Sequence, residues 1–288
     1  MIPVFKTRTE ETVMKVMERE GVPFLTFPLL TETGLVNHAF STRLGGVSQG
    51  DFATMNFSFT RGDQKEAVLE NYSRMARALS VERDRMVLTW QTHTTNVRRV
   101  TAEDAGKGIV RERDYRDVDG LITNEPGLTL VTFFADCVPL YFLDPVHHAI
   151  GLSHSGWRGT VNRMGKVTIE AMEQAFGSKP EELLACIGPS ICQGCYEVGP
   201  EVAEAFCSTF SEQEQELILK AKQNGKYQLD LWAANRLVLL TAGILPEHLS
   251  VTNICTYCNP KLLYSHRRSA ERRGNLCAFL SLKSSARI

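Results

Sequence analysis

Residues 128–155 read LTLVTFFADCVPLYFLDPVHHAIGLSHS, and this stretch decides the fold class. Leu128 to Asp136 and Val138 to Leu143 are β-branched and aromatic. Asp144-Pro145-Val146-His147 is a turn sequence with Pro at its second position, and Ala149 to Ser153 resumes as a strand. The apolar run is broken by Asp136 and Pro139, so it is too short and too interrupted to span a bilayer.

The hairpin brings two chemically active residues together. If Asp144 pairs with His147, the antiparallel register carries Cys137 directly opposite His154, with Cβ atoms about 4.5–5.5 Å apart. Such a pair reaches one zinc, at about 2.3 Å for sulfur and about 2.0–2.1 Å for nitrogen. The register is sensitive to a bulge at Pro139. His93, in the turn-like QTHTTN of residues 91–96, is a candidate third ligand. A Cys/His/His set leaves the fourth tetrahedral position open, the pattern of a catalytic site. Spacing alone does not tie His93 to the pair, and a Cys at a strand end reads equally well as a small buried hydrophobe. His147 and His148 lie in the turn, where exposure accounts for them.

Outward from the hairpin, strands and helices are mixed without strict βαβ alternation. That pattern predicts an α/β chain of the α+β layered-sandwich type. Residues 8–20 read as a polar, helical lead-in, and residues 1–34 as peripheral to one continuous domain over 1–288. Leu35–Thr42, Arg85–Trp90, Val97–Val100, Leu183–Ile187, Val251–Thr256 and Leu276–Leu282 read as strands. Residues 63–80, 160–176, 199–220 and 230–241 read as helices, with Asp63 and Asp230 as caps and Glu66 as a capping-box partner.

Composition bounds the function. The chain has 288 residues, 32 Lys+Arg against 33 Asp+Glu, and a formal net charge of −1. That balance excludes a generally basic nucleic-acid binder. No continuous apolar h-region opens the chain, so the expected context is cytoplasmic, reducing and free of membrane. Eight cysteines then need an explanation other than a disulfide scaffold. Cys186, Cys207 and Cys277 lie in apolar surroundings and read as core. Cys192-Gln-Gly-Cys195 and Cys255-Thr-Tyr-Cys258 are both C-x-x-C, but their separation far exceeds that of a zinc ribbon. Neighbouring structural thiols, a second metal site and a redox pair all remain open for them.

Three basic features are candidates for anions. Arg43 with Gly45-Gly46 forms a cationic glycine turn. Arg158 opens a helix beside His154. His266 and Arg267 belong to YSHRR, which with Arg272 and Arg273 is the strongest basic run. Asp136 interrupts an apolar strand, so its carboxylate needs a partner or a proton-carrying role. Its alternation with Cys137 sends it to the opposite face.

FSTRLGGVS, MNFSF, QTHTTNV, VDGLIT, ADCVPLYFLDP, AIGLSHSGWRGTV, CIGPSICQGCYEVG, CTYCNP and YSHRR occur in this order along the chain. Together they resemble the YfiH/YlmD family, also described as multicopper polyphenol oxidoreductase (laccase-like) or peptidoglycan editing factor proteins, and most of all its bacterial YlmD type. The resemblance runs from about Val36 to Leu282. It implies a single layered domain related in fold to cytotoxic necrotizing factor catalytic domains. It also implies a site at His93, Cys137 and His154, holding zinc, with copper as the alternative.

The implied reactions are phosphorolysis of adenosine, inosine, guanosine and methylthioadenosine, and deamination of adenosine. The partners would be purine nucleosides and phosphate. Among this chain's own candidates, Arg43 is the first for phosphate or ribose contact, Arg158 or His266 and Arg267 are alternates, and Asp136 is the catalytic carboxylate, as a group that supports a metal ligand or as a proton carrier. The family also carries two other readings. One is a copper polyphenol oxidase, which seven histidines in all hardly supply. The other is a metal-free hydrolase editing peptidoglycan precursors, with Cys137 as nucleophile and His154 as base. Ser155 stands where the family commonly has Ala, and Arg272-Arg273-Gly274-Asn275 departs from a Gly-Arg-Gln-like ending.

Overall fold

The computed structural model describes residues 3–284. Two six-stranded sheets face each other. In spatial order the first contains Lys15–Arg19, Val22–Thr26, Val36–Ser41, Leu276–Leu282, Thr129–Phe134 and Met86–Leu88. The second contains Leu249–Val251, Leu184–Ile187, Val138–Asp144, Ala149–Ser155, Gly120–Thr123 and Val97–Arg99. A small third sheet joins Glu197–Val198, Tyr227–Leu229 and Leu219–Ala221.

The period-2 rule assigns the strands to layers. Along Val138–Asp144, Tyr141 and Leu143 face the other sheet, while Val138, Leu140 and Phe142 face helices. Along Leu276–Leu282 the even-numbered residues enter the core between the sheets. Cys277 and Phe279 pack under the helix Lys65–Leu79. The order of layers is therefore helix, sheet, sheet, helix, which explains strands apolar on both faces. Tyr141 crosses the central layer, and its hydroxyl donates to the Ala39 carbonyl at 2.9 Å. A mixed α/β single domain is what the sequence predicted. Among the described residues, no helix is long and apolar enough to cross a membrane.

Several local expectations are corrected. Residues 15–19 form a strand, not a helix, because Glu20 and Gly21 both take positive φ and close a two-residue hairpin onto Val22–Thr26. Nor is the whole of 1–34 peripheral: Leu25, Phe27 and Leu30 are fully buried in the central core. The helix 160–176 is two, Trp157–Val161 and Met164–Phe176, parted by Arg163 in the left-handed region. The helix 199–220 is Pro200–Cys207 and Glu212–Ile218, the second opened by a Ser211–Glu214 capping box, and residues 219–221 turn to strand. Gln64, not Asp63, precedes the helix Lys65–Leu79, and no side chain caps it. Asp63 instead accepts from Asn56 Nδ2 at 2.9 Å. The late strand is Leu249–Val251, and Asp230 caps its helix as expected. Cys207 is exposed, at the end of its helix, rather than core.

Buried His38 gives the fold an acid sensitivity. Its Nε2 accepts the Phe27 N–H at 2.8 Å, which requires a neutral ring. Burial pushes the imidazole down to about 4 from 6.5. The unfolded chain therefore takes up a proton first as pH falls. The stabilisation is complete above about 6.5 and is lost progressively between that pH and 4. The loss amounts to about 3 kcal/mol. Urea midpoints measured from pH 7 to pH 4.5 are expected to fall less steeply in His38→Gln, whose amide oxygen still accepts from Phe27. An unchanged slope would remove His38 as the cause.

Candidate active site

The hairpin register differs by two residues from the expected one. Asp144 pairs with Ala149 and Pro139 with His154, so Pro145–His148 form a four-residue turn. The Asp144 carboxylate stabilises that turn by accepting from the Val146 and His147 backbone and from His147 Nδ1, each at 2.9 Å. A two-residue shift preserves the face of each side chain. Cys137 and His154 thus remain diagonal neighbours on the side that faces the first sheet.

His93 reaches them from the turn after Met86–Leu88. Its φ is +67°, and Asp136 beside Cys137 has φ +88°. Two non-glycine residues in the left-handed region at one site mark a backbone held there by its surroundings. For His93 the restraint is visible. Asp119, fully buried, accepts the backbone N–H groups of Thr92, His93 and Thr94 at 2.9, 3.1 and 3.1 Å, and the Thr94 hydroxyl at 3.1 Å.

The same carboxylate lies 2.8 Å from His154 Nδ1. This contact fixes the His154 tautomer, with Nδ1–H donating, and turns Nε2 toward Cys137 and His93. The His93 and His154 rings meet edge-on at 4.9 Å, and Cys137 Sγ lies 4.0 Å from His93 Nε2. One donor atom from each of the three lies within 4.8 Å of the others. A tetrahedral zinc spaces its donors by roughly 3.5 Å, so one thiolate and two imidazoles with a carboxylate behind one of them fit such an ion. Asp119 is the residue that sequence reasoning passed over. Its signal was an acid buried inside the VDGLIT strand entry.

Electrostatics support an ionised sulfur. Burial alone would raise the Cys137 thiol, but the adjoining His154 and His93 hold it down to about 6. Burial likewise opposes a charged His154, and Cys137 and Asp119 outweigh it, raising the ring to about 9. Asp119 stays below the ordinary carboxylate range: burial would raise it, and the His154 and backbone hydrogen bonds prevail.

Two cavities meet at these residues. The larger, about 590 Å³, has walls that include Trp90, Phe133 and Phe134, with Arg61, Arg113 and Arg273 around it. The smaller, about 230 Å³, is bounded by Trp157, Arg158, Tyr196 and Arg267. His93, Ala135, Cys137 and His266 line both.

The other expected site residues divide. Arg158, His266 and Arg267 reach the cavities; Arg43 does not. Its Nε donates to the Ala53 carbonyl at 2.8 Å and Nη1 to Pro260 at 3.0 Å, and its guanidinium stacks on Tyr264. Arg43 thus clamps loops instead of waiting for a ligand. The Asp136 carboxylate is occupied by the Thr256 hydroxyl at 2.6 Å, the Ser265 hydroxyl at 3.0 Å and the Arg267 N–H at 2.7 Å. Three donors thus hold it at the wall of the smaller cavity.

Gly156 opens the helix against the ligands. A Cβ there would lie 3.0 Å from Cys137 Sγ and 3.1 Å from His93 Cδ2. Its φ of −75° suits any residue. Gly156→Ala is therefore expected to fold normally and to lose on the order of 10²-fold in turnover, because the ligands are displaced. Melting temperature alongside steady-state rates checks this, and an unimpaired rate would contradict it.

A family described as multi-copper polyphenol oxidoreductase laccase matches residues 37–283. Purine nucleoside phosphorylase YlmD of Bacillus subtilis is 38% identical over 250 residues, covering 85% of this chain and 87% of that protein. Adenosine deaminase RL5, from an unknown prokaryotic organism, is 34% identical over 232 residues, covering 80% and 88%. The crystal structure of the Bacillus licheniformis hypothetical protein YfiH superposes with a TM-score of 0.87 at 31% identity, covering 93% of this chain and 99% of that one.

Proposed function

The chain belongs to the multi-copper polyphenol oxidoreductase laccase family, and on that premise we propose that it is a zinc-dependent purine nucleoside phosphorylase that also deaminates adenosine. The observation that carries the reading is a Cys/His/His set at the junction of two arginine-lined cavities. The names of two relatives, a purine nucleoside phosphorylase and an adenosine deaminase, supply the two reactions.

In this reading His93, Cys137 and His154 hold the metal, and Asp119 orients His154. Zinc there supplies a Lewis acid for the oxygen or nitrogen that gathers charge in the reaction. Phosphorolysis needs phosphate and base on opposite sides of the ribose anomeric carbon, and two cavities flanking one junction offer that arrangement. The base lies between Trp157 and Tyr196 in the smaller cavity. Arg158 and Arg267 stack on those rings at 4.3 and 5.0 Å and edge the base.

Phosphate belongs beside Arg273. This guanidinium is 6% exposed, its Nε is buried without a partner, and among the described residues no carboxylate pairs with it. A buried cation lacking a counter-ion favours an anion. His266, lowered by burial and by Arg273, is a neutral ring that can hydrogen-bond the departing base.

A multicopper centre would need more histidine than this set provides. Among the described residues, only His93 and His154 join Cys137. The lowered Cys137 thiol beside His154 and Asp119 also favours a second reading, a metal-free cysteine hydrolase.

Incubation of the pure protein with inosine and phosphate, followed by detection of hypoxanthine and ribose-1-phosphate, tests the main reading. Absence of product there and with adenosine, from zinc-loaded protein, would sink it. Full activity after verified removal of metal would favour the hydrolase. Arg273→Met is expected to raise the phosphate KM by about 10–100-fold, the worth of a charged hydrogen bond. Stability should change little, because the hydrogen bonds lost to Gly274 and Asn275 are offset by removal of a buried charge that has no carboxylate partner among the described residues. An unchanged KM would move phosphate elsewhere.

A further inference from the structure

The four cysteines of the two C-x-x-C pairs lie together. Their sulfurs are all within 4.8 Å of one another, although the pairs stand 63 residues apart in sequence. We propose that Cys192, Cys195, Cys255 and Cys258 form a second metal site, a tetrathiolate that holds a structural zinc.

The geometry is that of two knuckles facing across a loop closure. Cys195 N–H donates to the Cys192 carbonyl at 2.9 Å, closing the first as a tight turn. Across the gap, Cys192 N–H donates to Cys255 Sγ at 3.3 Å, and Cys195 and Cys258 sulfurs are 3.5 Å apart. A zinc with four sulfurs at about 2.3 Å spaces them by about 3.8 Å, so the cage needs little adjustment. Cys192 and Cys255 are buried and the other two half-buried, which closes the ion off from substrate, unlike the open His93–Cys137–His154 set. Binding releases four thiol protons to solvent and leaves a net charge of −2, and Arg8 beside Cys192 offsets part of it.

The site has a structural purpose. Tyr196 follows Cys195 and lines the smaller cavity. Thr256 follows Cys255 and donates to Asp136, the neighbour of Cys137. Ser190 bridges to Cys255 in parallel, and the regular structure beside the cysteines is the single 3-10 turn Gln193–Cys195. One ion therefore clamps two loops that meet at the active site.

The test uses the full chain carrying Cys137→Ala, which empties the other site, produced with added zinc and kept reduced. About one zinc per chain, with an all-sulfur X-ray absorption spectrum, is the expected result. Adding Cys195→Ser and Cys258→Ser should abolish it. If that variant does not fold, titrating the folded Cys137→Ala chain with a mercurial should release the zinc as the four thiols react. A folded Cys137→Ala chain without zinc overturns the proposal. So does finding these cysteines as disulfides in freshly isolated protein, or a mercurial titration that frees no metal. None of these readouts depends on nucleoside turnover, so the proposed activity and the tetrathiolate can fail separately.

Discussion

Cys137→Ala is expected to lower turnover by on the order of 10³-fold while the chain still folds. The thiolate is the one anionic donor in the set, and removing it leaves two imidazole donors, too few to retain a divalent ion. Several kcal/mol of charge stabilisation in the reaction go with the ion, and each 1.36 kcal/mol is a factor of ten. Stability should change by no more than about 1–2 kcal/mol, because Cys137 is half-buried and lies before its strand begins. The measurement pairs metal content with phosphorolysis rates and a melting curve. Wild-type activity in this variant would defeat both the zinc and the thiol-nucleophile readings. Loss of activity in a wild-type chain stripped of metal, restored by zinc, would separate them.

Asp119→Ala is expected to damage both the site and the fold. It removes the acceptor of the backbone N–H groups of Thr92, His93 and Thr94, each of which donates to this carboxylate from a partly exposed turn. An unsatisfied buried donor costs about 1–3 kcal/mol, and partial access of water to the exposed turn brings the total to roughly 3–5 kcal/mol. His154 loses the partner that fixes its tautomer, which costs about 10–100-fold in metal affinity. Asp119→Asn should retain part of the stability and lose most of the metal affinity, since an amide accepts fewer hydrogen bonds and carries no charge. Because the folded carboxyl lies below its unfolded value of about 3.9, its stabilisation is present above that pH and lost as pH falls beneath it. The acid limb of the stability curve should flatten accordingly in Asp119→Asn. Unaltered zinc affinity in a folded Asp119→Asn chain would show that the carboxylate orients nothing.

Legibility in the sequence follows the range of the interactions. Leu276–Leu282 is a strand in the reading and in the structure, since a seven-residue run with six apolar residues packs into core on both faces of the sheet. Cys137 and His154 could be paired because a hairpin is local, and an error of two residues in its turn left both side chains on one face. Breaks inside helices were not legible: Arg163 adopts positive φ without glycine, so composition carries no mark of it. Arg43 misled for a related reason. A glycine turn beside an arginine describes an anion cradle and a loop clamp equally, and only the Ala53 and Pro260 carbonyls distinguish them.

By itself the sequence determined the layered α/β class, the hairpin that joins Cys137 to His154, and the family. Each of these is written in local periodicity or in ordered motifs. Tertiary structure alone decided that Asp119 holds His93 and His154 at once, that Arg273 is buried without a carboxylate partner among the described residues, and that two cysteine pairs 63 residues apart meet. Those arrangements depend on sheet packing and loop closure, which bring together residues whose separation along the chain carries no signal of contact.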